Sequence, residues 1–201
     1  MILWILLLLG AWLLGSIAFG ALLVRWKTAS DIRSQGSGNI GATNVYRIHG
    51  KALGAATLAL DAAKGAIPVA LALLIAPASP HLAPVVGLFA LLGHCFPAYS
   101  FFKGGGKGVA TAAGATLALS PITIGAALAV FLVVTIRWGR VSAGSLAAAA
   151  TLPLFGLLFD LPTFTIIVLA LMALVVFARH RANMARLLSG TEPGIWDRKQ
   201  G

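Results

Sequence analysis

The sequence is short of charge, and cysteine is almost absent from it. Charged residues fill 10% of its 201 positions, and only five of them are acidic. A soluble domain carries roughly 25%. Together with a hydrophobic content of 59% and a mean hydropathy of +0.95, that scarcity excludes an ordinary soluble protein. The single cysteine, Cys95, rules out an internal disulfide and lies in an apolar run. No long polar segment exists that would fold separately, so one domain over 1–201 is expected. The apolar stretch that begins at Ile2 has no basic leader and no small-x-small cleavage site. It reads as a retained membrane span, not a signal peptide.

Several catalytic patterns are missing as well. Five residues after His49, His94 and His180 stand Gly54, Tyr99 and Ala185, so no His-x-x-x-x-Asp occurs. There is no Gly-x-Ser-x-Gly elbow and no cluster of metal-ligand residues. Neither a metal nor a cofactor is expected. His94 and Cys95 are neighbours, and adjacent helical residues point about 100° apart, which argues against a Cys–His dyad.

Apolar runs, by contrast, are plentiful. A helix needs ~20 apolar residues to cross ~30 Å of hydrocarbon. Seven runs qualify: 2–24, 52–76, 82–98, 109–119, 121–138, 142–159 and 163–177, the third, fourth and seventh being short. The expected fold is therefore an all-α integral membrane protein with seven transmembrane helices. Arg25, Lys27, Arg33, Arg47 and Lys51 follow span one; Lys103 and Lys107 follow span three; Arg137 and Arg140 follow span five; Arg179, Arg181, Arg186, Arg198 and Lys199 follow span seven. The intervening loops carry no Lys or Arg, and of the fifteen basic residues only Lys64 lies inside a span. By the positive-inside rule the N-terminus lies outside and the C-terminus in the cytoplasm. Topology thus accounts for the net charge of +10, and no nucleic-acid partner is needed. Asp61 and Lys64, three residues apart in span two, read as a mutual ion pair.

Three polar stretches lie on the basic side. The first is SQGSGNIGATN, 34–44. It contains Gly-x-Gly-x-x-Gly, but a dinucleotide site needs a preceding strand and a following soluble helix. Here a span and a basic loop precede it, and the acid 20 residues on, Asp61, is intramembrane. What remains is a set of exposed amides and uncharged donors (Ser37, Asn39, Thr43, Asn44), suited to an anion, with the Arg47 fork close behind. The second, Lys103-Gly104-Gly105-Gly106-Lys107-Gly108, is no Walker A loop, since Phe101 stands five before Gly106, where the motif needs its first glycine. It still sets cations and amides before a helix. The third runs from Arg179 to Glu192; if it is helical, His180 and Asn183 share a face, as do Asn183 and Arg186. Each has a plainer reading: a flexible polar loop, a headgroup-anchoring basic pair, a positive-inside tail. Three such stretches at one interface favour a binding site.

These stretches carry a family resemblance. G-S-G-N-I-G-A-T-N-V-x-R from Gly36, G-H-C-F-P from Gly93 running into F-K-G-G-G-K-G-V-A-T, and R-H-R-x-N-x-x-R-L-L-x-G-x-E from Arg179 resemble three signatures of the bacterial acyl-phosphate:glycerol-3-phosphate acyltransferases, the PlsY family. L-L-G-S-I-x-F-G in span one and L-D-x-x-K-G in span two fit too. The usual second signature has two glycines between its lysines; this chain has three. The resemblance implies a seven-helix enzyme of the bacterial inner membrane with a cytoplasmic site. It would transfer a fatty acyl group from acyl phosphate to the sn-1 hydroxyl of glycerol 3-phosphate, giving lysophosphatidate and phosphate, and would not use acyl-CoA or acyl carrier protein. It implies Ser37, Arg47, His180 and Asn183 as catalytic residues. Asn39, Gly41, Thr43, Asn44, Gly104, Gly105, Gly106, Lys107 and Ser145 would bind substrate. Membrane lipids are its surroundings, and the soluble PlsX-type enzyme that makes acyl phosphate is a candidate partner.

The residues agree with that chemistry. Acyl phosphate is already an activated anhydride, so aligning it and neutralising two phosphates matters more than a strong base. The hydroxyl proton goes to a substrate phosphate or to His180, and the sequence does not choose. The rival reading, a transporter of phosphorylated small molecules, would place polar groups near mid-membrane and often shows internal repeats; neither is visible.

Overall fold

The computed structural model describes residues 1–195, and Arg198 and Lys199 of the basic tail lie outside them. Among the described residues the chain is helical, with no strand. Its helices are α1 (Ile2–Gly15), α2 (Phe19–Thr28), α3 (Ala42–His49), α4 (Lys51–Ile75), α5 (Leu82–Cys95), α6 (Val109–Leu119), α7 (Pro121–Trp138), α8 (Val141–Leu158), α9 (Thr163–Arg179) and α10 (Arg181–Leu188).

Two boundaries depart from the sequence expectation. The first span is broken at 16–18, where a Gly-Ser pair ends α1, a common site of kinking. Ser16 Oγ donates to the Trp12 carbonyl at 2.8 Å and accepts the Ala98 amide at 3.0 Å, which holds the break against the turn after α5. Second, the end of the glycine-rich first stretch, from Ala42, is already helix α3. It is joined to α4 through Gly50, at φ 86° and ψ −177°, a region essentially restricted to glycine.

Five segments are long and apolar enough to cross a membrane: Ile2–Thr28 (α1 and α2 together), α4, Leu82–Ser100, α7 and α8. Helices α9 and α10 pass the same test together but bend by 63° between them. Helix α6 has eleven residues, about 16 Å at 1.5 Å each, or half of a ~30 Å core. Of the seven expected runs, five thus meet the length of a crossing, the seventh does so only together with α10 across a bend, and the fourth is a short apolar helix.

The bundle is inside-out relative to a soluble protein. Leu74, Leu132, Leu157 and Leu174 stand on its outside, while Lys64, Asp61 and His94 are buried. Helix backbones approach closely where side chains vanish. A Cβ on Gly65 would overlap the Thr111 carbonyl and one on Gly114 the Ala62 carbonyl, locking α4 to α6 from both sides. Gly15 and Gly93 do the same between α1 and α5. Helix α7 starts cleanly: Pro121 takes its first position and Ser120 Oγ caps the Thr123 amide.

Candidate active site

The first stretch is organised by its own asparagines. Buried Asn44 accepts the Ser37 amide at 3.0 Å and donates to the carbonyls of Gln35 (3.1 Å) and Asn39 (2.9 Å). Gly36, at φ +57°, lies so close beneath that a Cβ would strike Asn44 Oδ1. Asn39 Oδ1 in turn accepts the Gly41 amide at 2.8 Å. Three expected ligand groups are therefore committed to shaping the loop: the Asn44 side chain, the Asn39 carboxamide oxygen and the Gly41 amide. The exposed Ser37 hydroxyl and the Thr43 amide, at the start of α3, make no hydrogen bond among the described residues. One turn on, Arg47 donates to the carbonyls of Pro193 and Gly194, each at 3.2 Å, and so joins the first stretch to the third.

The second stretch is drawn into the bundle. Gly105, Gly106 and Gly108 are buried, and the Gly106 amide donates to the His94 carbonyl at 3.0 Å. A Cβ on Gly105 would meet the Cys95 carbonyl, and one on Gly106 would meet the His94 ring. These glycines are required for close approach to the end of α5. The expected anion donor at Gly106 is already used. Arg179 fixes the loop from the other side, with Nε 3.0 Å from the Gly106 carbonyl and Nη2 2.7 Å from that of Gly105, its guanidinium lying 5.3 Å over the Phe96 ring. Gly104, at φ +67°, stands beside Arg33.

The third stretch is two helices and not the single one on which a shared face of His180 and Asn183 was conditional: His180 sits at the 63° junction, where it ends α9 and caps α10, three residues before Asn183. Its Nδ1 is 2.8 Å from the Val176 carbonyl. A carbonyl only accepts, so Nδ1 carries the proton and Nε2 offers a lone pair when the ring is neutral. After α10 the chain reverses through Gly190, with the Thr191 and Glu192 amides donating to the Arg186 carbonyl. Glu192 thereby folds back as a hub. Ser142 Oγ and Asn183 Nδ2 each donate to Oε1 at 2.6 Å, and Arg186 Nε donates to Oε2 at 2.7 Å. Burial pushes the Glu192 carboxyl up, but those three hydrogen bonds and the charge of Arg186 together hold the group below its ordinary value.

Lys107 stands among these groups. Burial pushes its ammonium down to about 8; Glu192 opposes the fall, and Arg186, Arg47 and Arg179 add to it. His180 is lowered to about 4, chiefly by burial, with Lys107 adding to the fall and the Val176 hydrogen bond and Glu192 opposing it. Arg47, Lys107, His180 and Asn183, on three separate stretches of sequence, thus surround one place. No described contact joins Ser37 to Lys107 or His180. Ser145 returns its hydroxyl to the Val141 carbonyl at 2.9 Å and lines a narrow apolar groove of about 50 Å³ with Val109, Phe131, Leu152, Met172 and Val176.

Sequence reasoning missed Ser142 and Arg179 as parts of this site, and the hub role of Glu192. An acid placed a few residues after four basic side chains, Arg179, His180, Arg181 and Arg186, was a legible sign of Glu192. Nothing in the sequence separates Ser142 from Ser145. Among the described residues no group of three or more His, Cys, Asp or Glu is placed to hold a metal ion.

Comparison with known proteins decides what this site belongs to. The model of the family described as glycerol-3-phosphate acyltransferase matches residues 5–190. The chain belongs to that family. A glycerol-3-phosphate acyltransferase of Syntrophotalea carbinolica is 46% identical over 186 residues, covering 92% of this chain and 94% of that protein. One from Myxococcus xanthus is 46% identical over 187 residues, 93% and 96% of the two chains. The crystal structure of PlsY (YgiH), an integral membrane glycerol 3-phosphate acyltransferase, in its glycerol 3-phosphate form superposes with a TM-score of 0.90 at 37% identity, covering 95% of this chain and 94% of that one. The lysophosphatidic acid form of PlsY gives 0.88 at 36% identity, with the same coverage. The chain is thus a multi-pass membrane glycerol-3-phosphate acyltransferase of the PlsY family, an enzyme of phospholipid synthesis.

Proposed function

We propose that the acyl donor is acyl phosphate, and that the enzyme transfers its fatty acyl group to the sn-1 hydroxyl of glycerol 3-phosphate without using acyl-CoA or acyl carrier protein. The observation that carries this reading is His180. Its ring is held by the Val176 backbone carbonyl, and no carboxylate is hydrogen-bonded to it among the described residues. A base without a carboxylate to strengthen it suits a donor that is already activated. A mixed anhydride with phosphate as leaving group meets that need.

The hydroxyl oxygen attacks the acyl carbonyl carbon, the carbon–oxygen bond to phosphate breaks, and inorganic phosphate leaves with lysophosphatidate as the ester product. A substrate phosphate, a monoester with a second pKa of about 6, takes the proton of the sn-1 hydroxyl. The His180 Nε2 lone pair accepts from the neighbouring sn-2 hydroxyl and so orients the glycerol, with Asn183 on the helix that follows. Lys107 and Arg47 neutralise phosphate charge, and Ser37, the Thr43 amide and the loop 104–106 flank them. The apolar groove beside Ser145 takes the acyl chain where it leaves the polar site. PlsY forms named for glycerol 3-phosphate and lysophosphatidic acid support those as substrate and product. The basic loops gathered at the site's end support a cytoplasmic active site, an external N-terminus and a place in the bacterial inner membrane. They also favour counting seven crossings within one domain, with α6 and the bent α9–α10 as the two irregular ones. A PlsX-type enzyme is the proposed supplier of the donor.

The test is turnover of purified protein in lipid with glycerol 3-phosphate and palmitoyl phosphate, palmitoyl-CoA or palmitoyl carrier protein. Phosphate release and lysophosphatidate from the acyl phosphate alone is the expected result. Turnover only with a thioester overturns the donor. Silence with all three, in folded protein, returns transport to first place.

A further inference from the structure

One cluster of buried charge lies outside the groups assigned to chemistry. Lys64 Nζ is 2.9 Å from Asp61 Oδ1 and donates to the Ile17 carbonyl at 2.7 Å, with the Phe19 ring 5.7 Å away. His94 Nδ1 stands 3.7 Å from the same Asp61 oxygen, and all three side chains are almost wholly buried. Charges removed from water at this depth are costly unless they act.

Each end of the cluster touches the foundation of a different loop. The Ile17 carbonyl is unused by the backbone because α1 breaks there, and Lys64 fills that vacancy in the helix ladder. Two residues on, α2 begins, and its Gly20 lies against the Ile40 carbonyl of the first glycine-rich stretch, where a Cβ would overlap it. At the other end, the His94 ring supports Gly106 from below and its carbonyl takes the Gly106 amide, one residue before Lys107.

We propose that Asp61, Lys64 and His94 form a positioning cluster that sets the two phosphate-facing loops, 34–44 and 103–108, in register with each other. The cluster touches no reacting atom. It acts through Ile17 on one loop and through Gly106 on the other, and so governs how well two phosphates are held at once. The inference rests on the acyl-phosphate reading of the same site.

The test compares the wild type with the double variant Asp61→Leu/Lys64→Met and with His94→Gln. Replacing a buried ion pair by apolar side chains of similar size generally leaves a fold intact, so the double variant separates positioning from stability. In the double variant KM for glycerol 3-phosphate should rise about tenfold or more with kcat within about threefold. Hydrogen exchange of the 103–108 amides should quicken while that of α7 and α8 is unchanged. Lys64→Arg, which keeps a donor to Ile17, should recover most of the loss. If the double variant fails to fold, His94→Gln carries the test, with the same KM rise expected. Wild-type kinetics and unchanged exchange in a folded variant overturn the inference alone. A wild type silent with acyl phosphate overturns the donor reading and the inference with it.

Discussion

Lys107 shows how burial tunes a single side chain toward its task. Held near 8 by desolvation and by three arginine neighbours, it is cationic at neutral pH and loses its charge as pH rises through that value. Only the charged form attracts phosphate, so kcat/KM for glycerol 3-phosphate should fall above about pH 8, and Lys107→Arg should remove that alkaline fall in a pH–rate profile. On the acid side His180, near 4, stays neutral down to about pH 5, so protonation of its ring should not limit activity above that. Arg179 acts through geometry. Its two bonds to the Gly105 and Gly106 carbonyls require a planar fork. Arg179→Lys keeps the charge and loses the pairing, so a rise in KM for glycerol 3-phosphate of about tenfold is expected from steady-state kinetics.

At the scale of elements, the return of the chain after α10 decides whether the site exists. Glu192 holds α8 through Ser142 and α10 through Asn183 and Arg186. Glu192→Ala strands buried donors at about 1–3 kcal/mol apiece, so thermal unfolding in detergent should shift clearly downward and activity should fall with it. Because the folded carboxyl lies below its ordinary value, its stabilisation is present above the unfolded pKa and drains away as pH falls through the folded one. The same melts run from pH 7 down to 3 should show this acid loss in the wild type and not in Glu192→Gln. Helix type and position were legible from apolar run length, and six of the seven expected runs coincide closely with helices. The break at 16–18 and helix α3 were not, because Gly-Ser and Gly-rich signals mark a change of direction without specifying the element beyond the turn.

The whole molecule presents one chemical end and one plain end. The short turn at 76–81 and the tail near Ser189 lie at opposite ends of their spans, so a membrane-impermeant thiol reagent distinguishes them. In a Cys95→Ser background, Ala78→Cys should label in intact cells and Ser189→Cys only after the membrane is opened. The reverse pattern would invert the proposed orientation. Under the proposed reaction the same polarity lets the catalytic chemistry be sparse, because the bundle would hide the acyl chain and bring the phosphates to fixed charge.

By itself the sequence determined the membrane class, the family and the stretches that carry Arg47, Lys107, His180 and Asn183. Hydropathy and local motifs are written in neighbouring residues, so they can be read in order along the chain. Only the tertiary structure decided that Asn44, Asn39 and Gly106 shape loops, that Ser142 and not Ser145 meets Glu192, and that Lys64 reaches Ile17. The last two pairings join positions 50 and 47 residues apart, and the others turn on individual hydrogen bonds. Close approach of helix backbones creates them, and no periodicity encodes such distances.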